Sequence, residues 1–131
     1  MKVKKFLNAA KEKEFQKVEE MIRTGYDDLD ALDEEDNCAL NYAIDNFKMA
    51  ELLLTNNAKF WGMPHPILCD AVRNNKTELI DKILEMGTEE SNFNVDESCN
   101  KTLGTTPLWV AVENQDLGTV KKLIEHQADA R

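Results

Sequence analysis

Four times along the chain the same apolar landmarks recur in the same order. A small pair comes first, beginning at Ala9, Ala43, Ala71 and Ala111. Two large aliphatic residues follow, Met21-Ile22, Leu53-Leu54, Ile83-Leu84 and Leu123-Ile124. Three positions later stands a residue placed to end a helix: Gly25, Asn57, Gly87 and Gln127. The small pairs are spaced by 34, 28 and 40 residues, averaging 34, a period typical of helical repeat arrays. Within the third unit, Ile67, Leu68, Ala71 and Val72 share one helix face. Leu79, Ile80, Ile83 and Leu84 share another, with Asp81, Lys82 and Glu85 turned away. The pattern predicts two antiparallel helices per unit, the first one short. Asn75 and Glu78 have the spacing of a helix start, the Asn capping and the Glu reaching back. Gly25, Asn57 and Gly87 suit the left-handed residue that closes a helix, and Gln127 suits it less well. The second unit lacks two residues between its alanine and its aliphatic pair, which predicts a second helix that starts late or loses a turn. One such unit cannot bury its apolar face alone, whereas four stacked units can.

The fourth unit reads Thr106-Pro107-Leu108-Trp109-Val110-Ala111, with Gly104 two residues ahead. This matches the signature T-P-L-H-x-A, and with the period it makes the chain resemble the ankyrin-repeat family over residues 3–131. The resemblance implies an all-α fold, an α-solenoid of four ankyrin-type helix-turn-helix repeats with connecting β-turn fingers. It implies a single domain, 1–131, with repeats at 3–32, 33–60, 61–96 and 101–131 and an acidic insertion loop at 88–103. In the second unit Cys38-Ala39-Leu40-Asn41 replaces the signature. Pro107 fits the first helical turn, where a missing N–H does no harm, and Thr106 can cap that helix. Trp109 replaces the family's His and is expected to be buried between repeats. Pro64 and Pro66 predict a stiff, irregular turn before the third unit. The insertion exceeds the usual connection by roughly seven residues. It carries Glu89, Glu90, Asp96 and Glu97 with no basic residue before Lys101, so it is expected to be solvated and mobile.

Charge narrows the kinds of partner. Sixteen Lys and Arg against 25 Asp and Glu give the 131 residues a net charge of -9, which argues against a nucleic-acid partner. No apolar run approaches the roughly 18 residues of a membrane span. The basic start is followed by too short an apolar stretch for a signal peptide. Residues 1–17 hold six lysines and two glutamates, and residues 27–36 hold seven carboxylates and no positive charge. The acidic run falls on the first inter-repeat turn. It is either a solubilising surface or a patch steering a basic partner. The basic start reads as the polar outside of a terminal repeat or as a contact for an acidic lipid or protein. Three cysteines, an odd count, do not suggest a disulfide framework. They fit a reducing compartment, the cytoplasm, or a host cytosol if the protein is a secreted effector. Cys38 and Cys69 are expected to pack as small apolar residues, and Cys99 to be exposed among acids that raise its pKa. His65 and His126 read as solvated. No zinc spacing, phosphate-binding glycine loop or nucleophile elbow occurs, so no catalytic, cofactor-binding or metal-binding residue is assigned and no enzyme activity is expected.

The resemblance further implies a concave binding surface made of turn tips and the exposed side of the first helices. The tips are Glu34, Glu35 and Asn37, then Gly62, Met63 and His65, then Thr102, Leu103 and Thr105. The helix positions are Lys11 and Glu12, Asp45 and Asn46, Arg73 and Asn74, and Glu113 and Asn114. The middle tip is unusual in concentrating Phe60, Trp61, Met63 and His65. Trp and Met are favoured interface anchors, but Phe60 and Trp61 can also fold under the neighbouring turn. The candidate partner-binding residues are Trp61, Met63, His65, Glu34, Glu35, Asn37, Asp45, Asn46, Arg73, Asn74, Leu103, Thr105, Glu113 and Asn114. The implied function is a non-catalytic protein–protein interaction module, an adaptor, inhibitor or regulator, acting as a monomer on a partner with a basic patch. The alternatives are a targeting module of a longer enzyme or secreted effector, and a self-associating structural repeat protein.

Overall fold

The computed structural model describes residues 2–90, 93–99 and 105–129, with side chains through 126. Among them lie eight helices and no strand. The chain forms two compact units, residues 1–59 and 60–131. The first holds α1 (Lys2–Lys11), α2 (Phe15–Arg23), α3 (Ala39–Tyr42) and α4 (Phe47–Thr55). The second holds α5 (Ile67–Arg73), α6 (Thr77–Gly87), α7 (Pro107–Glu113) and α8 (Leu117–Asp129). Both units have the same plan. Each first helix packs on its own second helix, and the two first helices of a unit pack on each other, α1 on α3 and α5 on α7. The four marker alanines are all buried, and their small side chains let those first helices approach closely.

The repeat turns have a common cause. Two positions past the end of α1, α5 and α7 stands a residue with positive φ: Lys13 at 61°, Asn75 at 57° and Gln115 at 58°. The next amide bonds five residues back, from Glu14, Lys76 and Asp116 to the carbonyls of Ala9, Ala71 and Ala111. This is the Schellman closure, which satisfies carbonyls at the helix end. Asn75 therefore closes α5 and does not cap α6; Lys76 occupies the cap position, without a side-chain hydrogen bond. The second repeat's deletion removes the left-handed residue. α3 stops at Tyr42 after four residues, while α4 keeps nine and is capped by Asn46, whose side chain accepts from the Met49 amide at 3.2 Å. The shortening falls on the first helix of that repeat, not on the second.

Of the four helix stops, Gly25 and Asn57 are left-handed closures, at φ 112° and 71°. The other two are not left-handed closures. α6 ends on Gly87 in helical conformation, and α8 runs through Gln127. At Gly87 the missing side chain makes room for Phe93: a Cβ there would lie 2.4 Å from the ring. α7 starts as expected, with Pro107 in its first turn and Thr106 accepting from the Trp109 amide at 3.3 Å. Trp109 itself is 55% exposed, contrary to expectation. Pro107, Val110 and Ala111 form the buried stripe, and helical periodicity turns Trp109 outward with Val112 and Glu113.

The insertion departs most from its prediction. Its segment 93–99 is docked: Val95 is buried, Phe93 is half-buried, and Cys99 forms a disulfide with Cys69 on α5. Cys69 is thus a bridge and not a small apolar filler, and Cys99 carries no free thiol. The two lie 30 residues apart in sequence, and only the folding back of the insertion brings their Cα atoms to 5.6 Å. Cys38 is the one free cysteine and is buried, and its burial pushes the thiol pKa up. With one pair formed, the odd cysteine count no longer supports a reducing compartment. Among the described residues no helix is long and apolar enough to cross a membrane.

Candidate functional site

In the first unit the acidic run folds into a finger with a buried root. The Tyr26 ring stacks on Phe6 at 4.4 Å, and its hydroxyl donates to the Asp28 carbonyl at 2.9 Å. Burial, followed by the charges of Asp28 and Asp27, raises the Tyr26 pKa. Leu29 is buried beneath, and Asp30 accepts from the Lys59 amide at 2.7 Å. The tip is organised by Asp33. Its carboxylate accepts from the amides of Glu35 at 2.8 Å and Asn37 at 3.0 Å, and from the Tyr42 hydroxyl. The Asp33 amide donates to the Asn37 carbonyl at 2.9 Å, and Asp36 makes the tight bend at φ 64°. Partial burial pulls the Asp33 pKa up. The three hydrogen bonds, with the charge of Lys11, outweigh it and hold the group below its ordinary value. The same bond from Tyr42, followed by burial, raises the Tyr42 pKa.

This finger faces α1 across an open groove of about 830 Å³. One wall is the α1 face Val3, Lys4, Leu7, Asn8 and Lys11, whose spacing is that of a single helical stripe. The other is Leu32, Asp33, Glu34 and Glu35, and Tyr42 closes one end. Leu32 is 39% exposed. Tyr42 is braced from the lysine side: the Lys11 ammonium lies 5.9 Å from its ring centroid, and Lys13 donates to its carbonyl while pairing with Asp45 at 2.9 Å. The groove therefore has apolar lining, a basic wall and an acidic wall, and the backbone of the acidic tip is braced by Asp33.

The predicted positions distribute unevenly. Glu34 and Glu35 lie on the groove, and Asn37 is half-buried behind them, its amide bound to Asp33. Asp45 is engaged by Lys13, and Asn46 by its capping of α4. In the second unit Phe60 is buried at 5% exposure. Trp61 and Met63 are half-buried and His65 is exposed. Trp61 meets Phe60 edge-on at 5.0 Å, and Phe93 covers Phe60 from 5.4 Å. Arg73 pairs with Asp70 at 3.1 Å, and Asn74 donates to the Asp70 carbonyl at 2.7 Å. Asn114 donates to the carbonyls of Val72 and Arg73 at 3.2 and 3.4 Å, which ties α7 to the end of α5. Glu113 is exposed, and Thr105 is half-buried with its carbonyl bound to the Cys99 amide. Thr102 and Leu103 lie outside the described residues. Leu32, Asp33 and Tyr42 were missed by the sequence reading. Asp33 looked like one carboxylate among seven, and nothing in the spacing linked it to a tyrosine nine residues on.

Comparisons with known proteins bear on the fold. The ankyrin repeat family model matches residues 103–131. No curated protein matches the chain. Among solved structures 82 chains match, so the architecture is widespread and selects no function by itself. One comes from the complex of Bd0816, a predatory endopeptidase from Bdellovibrio bacteriovorus, with immunity protein Bd3460. It superposes with a TM-score of 0.74 at 21% identity, covering 92% of this chain and 62% of that chain. The present chain thus spans less than two thirds of that neighbour's length.

Proposed function

With an ankyrin repeat at its end and an ankyrin-type fold as the premise, we propose that the chain is a non-catalytic module that binds and regulates a protein partner. The observation that carries this reading is the first-unit groove, whose acidic tip has its backbone held by Asp33. Groups already held in place lose little freedom on binding, so more of the contact energy appears as affinity. The exposed carboxylates of Glu34 and Glu35 attract a basic patch and speed encounter, and the apolar lining offers the desolvated contact that holds it. Trp61, Met63 and His65 on the second-unit finger supply a second set of contacts. Arg73, Thr105, Glu113 and Leu103 are secondary candidates. The complex containing the structural neighbour joins an immunity protein to an endopeptidase. By analogy, an inhibitor that covers a partner's working surface is the role we favour.

The test is the affinity of the wild-type chain and of the Glu34→Lys/Glu35→Lys variant for a partner identified by pull-down and mass spectrometry. Reversing two charges on a steering surface is expected to weaken binding about tenfold, with most of the loss in the association rate at low salt. Equal affinities and equal salt dependence would rule the groove out. A second reading rests on Trp109, Val112, Leu117 and Ile124, which are all at least half exposed on α7 and α8. Such a surface suits self-association. Light scattering that reports a monomer at every concentration removes it.

A further inference from the structure

The described part of the insertion is fastened to the second-unit finger in several ways. Glu97 accepts from the Gly62 amide at 2.7 Å. Phe93 lies against Phe60 and fills the space beside Gly87, and Val95 is buried. The disulfide between Cys99 and Cys69 closes this arrangement covalently. The finger bearing Trp61 and Met63 therefore owes its placement to a segment whose far end is held by a reducible bond to Cys69 and by the hydrogen bond from the Cys99 amide to the Thr105 carbonyl.

We propose that Cys69–Cys99 is a site of thiol–disulfide exchange through which a dithiol reductant sets the conformation of the 60–65 finger. Access fixes the order of the step. Cys69 is buried at 1% exposure and Cys99 is half-buried, so the reductant's thiolate attacks the Cys99 sulfur. The Sγ–Sγ bond breaks, Cys69 leaves as a thiolate, and it takes up a proton. The reductant's second thiolate then attacks the mixed disulfide and releases the Cys99 thiolate, which is protonated in turn. The protein gains two electrons and two protons, and the reductant departs as its own disulfide. With the bond open, segment 93–99 keeps only its non-covalent contacts. The insertion's Glu89, Glu90, Asp96 and Glu97 repel one another and favour its release. Gly62 then loses its acceptor and Phe60 loses its cover. The closed form presents Trp61 and Met63 on an ordered finger and the open form does not. A consequence for partner capture rests on the function proposed above, whereas the conformational change does not.

The experiment uses the Trp109→Phe chain, in which Trp61 is the only tryptophan. Dithiothreitol is the probe. Mass spectrometry after alkylation reports the state of the bond, and fluorescence and amide exchange report the finger. Reduction is expected to red-shift Trp61 emission and to speed exchange at the Gly62 amide by about tenfold or more, with helical content retained. The Cys69→Ser/Cys99→Ser chain is expected to show the reduced values without dithiothreitol and no response to it. The proposal is overturned if emission and Gly62 exchange stay unchanged while the bond is shown open. It is equally overturned if air-oxidised protein titrates with three free thiols, or if reduction abolishes helical content, since the bond would then hold up the whole unit. None of these readouts involves a partner, so they stand apart from the charge-reversal test of binding.

Discussion

Gly87→Ala is the substitution for which the sequence and the structure predict opposite outcomes. As a helix stop, Gly87 would hold positive φ, and alanine would strain the backbone. Instead it is the last residue of α6, and the positive-φ glycines among the described residues are Gly25 and Gly62. Helix propensity alone would then favour alanine by up to about 1 kcal/mol, less near a helix end. Against that, the new Cβ would meet Phe93 Cδ2 at 2.4 Å, Cε2 at 2.5 Å and Cγ at 3.1 Å. Carbon contacts settle near 3.5–4.0 Å, so the ring must retreat by about 1 Å, away from its packing on Phe60. Overpacking of this kind costs about 1–3 kcal/mol. The expected net effect is a loss of about 1–2 kcal/mol, seen as a fall of several degrees in Tm. The assay is urea unfolding of wild type, Gly87→Ala, Phe93→Ala and the double variant. With Phe93 truncated the Cβ has room, and the Gly87 substitution becomes neutral or mildly stabilising. A coupling energy of about 1–3 kcal/mol between the two sites follows. Zero coupling, with alanine stabilising both backgrounds alike, would refute the docking of the insertion on α6.

Three further outcomes follow from the same geometry. Gly25→Ala meets no atom within 4 Å but holds φ at 112°, so its cost is purely backbone strain, about 1–2 kcal/mol by thermal unfolding, and no neighbouring truncation relieves it. Asp33 has a folded-state pKa below its ordinary value, so the unfolded chain takes up this proton first as pH falls. Its contribution is complete above the unfolded pKa of about 3.9 and is lost as pH drops through the lower folded value. Asp33→Asn is expected to flatten that part of the acid limb in urea titrations, and an unchanged limb would show that the carboxylate contributes nothing there. Asn114→Ala removes both donors to the end of α5 and is expected to cost about 0.5–1.5 kcal/mol in chemical denaturation, while Glu113→Ala beside it costs next to nothing.

The repeat itself was legible because its physics is written in residue size. Only small residues permit close first helices, and Ala9, Ala43, Ala71 and Ala111 mark them correctly. Thr106 and Pro107 announced the start of α7 for the same local reason. The turn closures were harder. Lys13, Asn75 and Gln115 share a left-handed backbone but no side-chain type, so the position lost from the second repeat left no mark, and the shortening was assigned to α4 in place of α3. Gly87 misled because a glycine that yields space to a ring looks, in sequence, like one that turns the chain. The disulfide and the Phe60–Phe93 contact join residues that are 30 and 33 positions apart, beyond any local pattern. Of the candidate surface, the charges of Glu34 and Glu35 were visible. The Asp33 and Tyr42 framework that shapes the backbone of their tip depends on the finger folding back toward α3.

The proposed function stands on the first-unit groove receiving a protein. A photo-reactive benzoylphenylalanine at Leu32, on the groove wall, and another at Gln16, exposed on α2, test it most directly. Light is expected to link one protein to position 32 and far less of it to position 16, and Glu34→Lys/Glu35→Lys to remove the product. Equal cross-linking at both positions, or a position-32 product that survives charge reversal, would contradict it.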